Sequence, residues 1–108
     1  MKQLALSLLI VVSLSAAQEP QTFTGTITDS ECATGDHARM QMGPTDAECV
    51  RACIDAHGAT YVLYDGTTAY ALSDQDAPAK FAAQKVTIVG TLDARTKTIR
   101  VRSIAAVR

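Results

Sequence analysis

Thr22-Phe-Thr-Gly-Thr-Ile-Thr-Asp29 alternates residue by residue, with Phe23, Gly25 and Ile27 on one face and Thr22, Thr24, Thr26 and Thr28 on the other. Period-two alternation rich in β-branched residues predicts a half-buried strand. Gly25 in its middle predicts a sharp bend or a close backbone approach, the device with which a small barrel turns its corners.

Further along, the same alternation returns four times. Thr60 to Asp65 and Thr68 to Ser73 flank Asp65-Gly66, a strong hairpin signal. Pairing them about that turn puts Tyr61, Leu63, Tyr70 and Leu72 on one face and Val62, Tyr64, Ala69 and Ala71 on the other. Lys85 to Leu92 and Lys97 to Ala105 flank the polar turn Asp93-Ala-Arg-Thr96. In the first of these Val86, Ile88, Gly90 and Leu92 share a face, and in the second Ile99, Val101 and Ser103 do. Between the hairpins, Asp76-Ala-Pro-Ala-Lys-Phe predicts a short helix capped by Asp76, with Pro78 tolerated in the first turn. Five strands with a helix before the fourth predict a mainly β fold with one or two short helices, a five-stranded OB-like barrel.

Between the first strand and the first hairpin lies Asp29 to Gly58, which holds all three cysteines and both histidines: Cys32, His37, Cys49, Cys53 and His57. Ser30 to Pro44 has no periodicity and reads as a loop, long enough to suggest a task of its own. Thr45-Asp-Ala-Glu48 is a capping box, so a helix is expected to begin there and to stop at Gly58. On it Cys49 and Cys53 stand four residues apart on one face.

Upstream, Met1 to Ala17 has a basic start at Lys2, an apolar run from Leu4 through Leu14 and small residues at Ser15 and Ala17. This predicts a signal peptide cut after Ala17. A membrane helix needs about 20 apolar residues, so no anchor is expected after cleavage and the product is exported to a periplasmic or extracellular space. Gln18 to Gln21 reads as a flexible lead, and 22–108 as one domain with a Cys/His insertion at 30–58. Without Lys2 nine basic residues face eleven acidic ones, which offers no electrostatic footprint for nucleic acid.

The first strand with Ser30-Glu-Cys32, then His37, then Cys49-Val-Arg-Ala-Cys53, resembles an uncharacterised family of small exported bacterial proteins with an OB-like barrel. The likeness spans about residues 22 to 105. It implies the fold and export and carries no activity.

Three readings of the cysteines stay open. Cys32, His37, Cys49 and Cys53 form a known tetrahedral zinc set of three thiolates and an imidazole. Copper(I) is the rival ion, because soft sulfur selects it and Met40 and Met42 flank the same loop. Asp29 is a candidate to orient a histidine ligand or to form a turn, and His57 is a substitute for His37. The second reading is one disulfide from Cys32 to Cys49 or Cys53. It would leave an odd thiol, buried or linking two chains into a dimer, and make the protein an interaction module whose surface is Tyr61, Tyr64 and Tyr70. The third is thiol chemistry at Cys49 in the first helical turn, against which stands the Cys-x3-Cys spacing. No acid–base pair or nucleophile constellation here specifies an enzyme.

Overall fold

The structure is a computed structural model, described here for residues 19–38 and 41–108. The signal peptide expected at 1–17 lies outside the described residues. No helix of the described residues is long and apolar enough to cross a membrane.

Strand β1 (Gln21–Asp29) is the spine of the fold, starting one residue into the expected lead. Its first half pairs antiparallel with β4 (Lys85–Asp93), from Gln21 opposite Gly90 to Thr26 opposite Lys85. Its second half pairs with β2 (Tyr61–Tyr64), from Thr26 opposite Tyr64 to Asp29 opposite Tyr61. The handover falls beside Gly25, where any Cβ would collide with the carbonyl oxygen of Tyr64. Glycine is there because the two neighbouring strands close on β1 at that point.

The remaining strands, β3 (Ala69–Leu72) and β5 (Thr98–Ala106), complete a closed barrel in the order β1-β2-β3-β5-β4. Closure is made by the one parallel pairing, Ala71 with Thr98 and Leu72 with Ile99. The OB-like barrel expected from strand order is the fold found.

Ile27, Leu63, Leu72, Val86, Ile88 and Ile99 fill the barrel, each at most 5 % exposed. Helix α1 (Asp46–His57) adds Val50 to the same cluster, with Ala47 and Ile54 packed against it. Those three positions are three, four and seven residues apart, so they form the helical stripe that packs on the barrel core. The caps are as the sequence predicts: Thr45 Oγ1 accepts from the amide of Glu48 at 3.2 Å, and Gly58 takes the left-handed position at φ 65°.

Two expectations need correction. Asp76 makes no capping hydrogen bond to the 3-10 turn (Ala77–Phe81); Asp74 does this, its Oδ1 accepting from the amides of Asp76 and Ala77. On β5 the expected Ile99, Val101, Ser103 face breaks at a register shift between Val89 and Gly90, where Arg102 is an extra residue. A bulge reverses the alternation beyond it. Ser103 is therefore exposed, and Ile104, opposite Ile88, joins the core.

Candidate metal centre

The segment between β1 and β2 is organised by hydrogen bonds to a few side chains. Asp29, the last residue of β1, is fully buried, and its Oδ1 accepts from the amides of Glu31 and Cys32 at 2.9 Å each. This is the turn-forming role open to an aspartate at a strand end. It swings Cys32 back under the barrel end. There the Cys32 carbonyl accepts from the buried Thr28 hydroxyl at 2.8 Å and from the Gly35 amide at 2.8 Å. Gly35 takes φ 77°, and the chain then folds His37 in until it is only 6 % exposed.

Helix α1 arrives from the other side. Its barrel-facing stripe fixes its rotation, and that rotation turns the neighbouring stripe, Cys49 and Cys53, toward Cys32. Cys49 and Cys53 are 1 % and 0 % exposed, packed with Ala59 and flanked by Ile54. The Met42 amide donates to Cys49 Sγ at 3.5 Å, bringing the far end of the loop onto the same sulfur.

The outcome is two groups of three donors with one member in common. The sulfurs of Cys32, Cys49 and Cys53 lie within 4.8 Å of one another. So do the ligand atoms of Asp29, Cys32 and His37. All five residues are buried. The three cysteines are thiols, and no disulfide joins any of them, so the stapled-loop reading finds no bond here.

Burial and negative neighbours dominate the electrostatics of this pocket, opposed at Cys32 only by a hydrogen bond with Cys53. Burial first, and then Asp29, Cys49 and Cys32 in the same direction, push the Cys53 thiol up to about 12. Cys32 is raised as well, first by burial and then by Asp29 and Cys49. No cation is among the causes at either sulfur. Among the described residues two buried side-chain polar atoms have no partner, Asp29 Oδ2 and His37 Nδ1, and both are on residues of the second donor group. Buried polar atoms are nearly always hydrogen-bonded, so two orphans on residues of one donor group mark the pocket as a candidate ion site. A positive ion among thiols, a carboxylate and an imidazole satisfies both orphans and lowers all the sulfurs together.

Of the other nominated residues, His57 is exposed in the last turn of α1 and belongs to neither donor group. Met42 is 36 % exposed and reaches the site through its amide, while Met40 lies outside the described residues. Tyr61, Tyr64 and Tyr70 do not make one surface. Tyr61 is buried at 6 % exposure, while Tyr70, packed on Phe23 with ring centroids 5.6 Å apart, and Tyr64, its hydroxyl donating to the Gly66 carbonyl at 2.9 Å, are half-buried. Burial in the barrel took Tyr61 fully and Tyr70 in part.

Sequence reasoning nominated the sulfurs and His37, and weighed Asp29 mainly as a turn residue. Its Oδ1 makes the turn, while Oδ2 is buried without a partner and the residue falls in the second donor group. Comparison of the chain with known protein families, with curated proteins and with solved structures finds no match.

Proposed function

We propose that this chain is a small exported domain that binds a thiophilic metal ion, zinc first, in the pocket of Cys32, Cys49 and Cys53 with His37 as the fourth ligand, and that it does so without catalysis. The observation that carries the reading is the approach of three buried sulfurs to within 4.8 Å of one another with no disulfide between them. Sulfurs on a tetrahedral zinc stand about 3.8 Å apart, given Zn–S bonds of about 2.3 Å, so a modest contraction makes the shell. An amide donating to Cys49 Sγ suits a thiolate that carries charge. Thiols held protonated by burial are poor nucleophiles, which supports a binding role over thiol chemistry.

Copper(I) is the second reading, favoured by one feature: the three sulfurs close on one another as a group that does not include His37. A trigonal all-sulfur set is what that soft ion prefers.

The test is intact mass of the purified protein under native and denaturing conditions, with and without thiol alkylation. We expect a native mass increment of bound zinc, and three thiols that react with the alkylating agent only after a chelator is added. Preference between the ions is read by competing zinc against copper(I) held by a chromogenic chelator. Three freely alkylated thiols with no bound ion, or one reactive thiol with a two-hydrogen deficit, would end the metal reading.

A further inference from the structure

The pocket holds one more donor than a single tetrahedral ion needs, and the donors are not arranged as one shell. Cys32 is the shared corner of two triangles, one completed by Cys49 and Cys53 and the other by Asp29 and His37. A single ion at the three sulfurs leaves the second triangle to itself. Two of its three residues, Asp29 and His37, carry the unpartnered buried atoms Oδ2 and Nδ1. Each belongs to a residue more than nine-tenths buried, with Asp29 at 0 % and His37 at 6 % exposure.

Charge points the same way. Among the described residues Asp29 has hydrogen bonds from the Glu31 and Cys32 amides and no ion pair. A carboxylate out of water is stable only when paired, hydrogen-bonded on all sides or bound to a metal. One zinc on three thiolates leaves that site negative, and the adjacent carboxylate adds to it. Three thiolates and one carboxylate are balanced by two divalent ions. We infer that the pocket is a two-ion centre: one zinc held by Cys32, Cys49 and Cys53, a second by Cys32, His37 and Asp29, with the Cys32 thiolate bridging them.

This inference rests on the metal reading above, and it moves His37 from the ion at the three sulfurs to a second ion that it shares with Asp29. It also gives the turn at β1 a reason beyond chain reversal. Asp29 Oδ1 fixes the Cys32 amide while Oδ2 takes the ion that the Cys32 sulfur shares, so the residue places the bridge and half of the second site at once.

The experiment is a zinc titration of the reduced protein followed by native mass spectrometry, repeated with cobalt(II) to read sulfur-to-cobalt charge transfer. We expect two ions per chain in the wild type. Asp29→Asn keeps an oxygen to accept from the Glu31 and Cys32 amides and is expected to fold, to bind one ion, and to keep the thiolate charge-transfer band. His37→Ala is expected to do the same. Amide exchange of β4 and β5 confirms that each variant still has its barrel. A wild type saturated by one ion, with Asp29→Asn indistinguishable from it, overturns the second site and leaves the single-ion reading standing. Two ions that persist in Asp29→Asn overturn the assignment of Asp29. No bound ion in any form sinks both readings together.

Discussion

The barrel wall and the segment 30–58 are held by different forces. In the wall, Ile27, Leu63, Val86, Ile88 and Ile99 are fully buried against one another, and removal of their surface from water accounts for the fold. In the segment the second buried cluster is Cys49, Cys53 and Ala59, with Asp29 and His37 beside it. Little apolar surface is buried there, and the burial of a carboxylate and an imidazole with orphaned atoms opposes it. The helix belongs to both regions, with Val50 anchored in the barrel and Cys49 and Cys53 facing the loop. One region folds by its own composition, and the other is the one that the proposed ion would complete.

The largest expected effect separates the two directly. Zinc at a thousand times its dissociation constant stabilises a protein that binds it only when folded by about 4 kcal/mol. In the wild type, chelation is expected to remove that gain and to raise amide exchange across 30–38 and the first turn of α1, while β4 and β5 keep their protection. Cys53→Ser is expected to show the exchange pattern of the chelated protein whether or not zinc is added. Uniform loosening of both regions on chelation would show that the division is wrong.

How far each region could be read from the chain follows the same division. The wall was legible because a strand writes its burial into a period of two, as at Phe23, Gly25 and Ile27, and because Asp65-Gly66 marks its own turn. The helix ends were legible because Thr45, Glu48 and Gly58 act within a few residues of themselves. Ser103 and Ile104 were not, since their exchange of faces depends on a bulge that exists only once β5 has found its register on β4. The site was legible as a set of residue types, which brought out Cys32, His37, Cys49 and Cys53. The division of those donors into two triangles depends on where the Asp29 turn and the rotation of α1 leave them. The exclusion of His57 likewise depends on the face that Val50 commits to the core.

A second prediction probes the wall alone. Gly25→Ala drives a methyl into the Tyr64 carbonyl at the point where β1 passes from β4 to β2. Overpacking of this kind costs about 1–3 kcal/mol, and the obstructing atom here is backbone, which places the cost toward the upper end. Denaturant unfolding in the presence of chelator is the measurement. The variant is expected to lose its midpoint stability yet recover the full zinc increment when the ion is returned. Loss of that increment would mean that the barrel corner and the metal segment are one cooperative unit.

The smallest effect concerns acid. Asp65 Oδ1 accepts from the amides of Thr68 and Thr67 at 2.7 and 2.8 Å, and these bonds hold its carboxyl below the usual aspartate range. A carboxylate with a depressed folded pKa contributes stability that is complete above the unfolded value of about 3.9 and is lost as pH falls through the folded value. The barrel's hairpin is therefore expected to weaken only below about pH 4. Because Asp65 is at the surface, solvent screens the effect. The metal segment should respond sooner on acidification, because protons compete with the ion for thiolates and imidazole at higher pH. Unfolding midpoints between pH 7 and pH 3, with zinc and with chelator, resolve the two limbs. Chelator removes the upper limb and leaves the lower one. Asp65→Asn keeps an acceptor oxygen without the titrating charge, so it is expected to flatten the lower limb while the zinc-dependent limb stays in place. A single limb common to all conditions would mean that the turn and the metal segment lose their structure together.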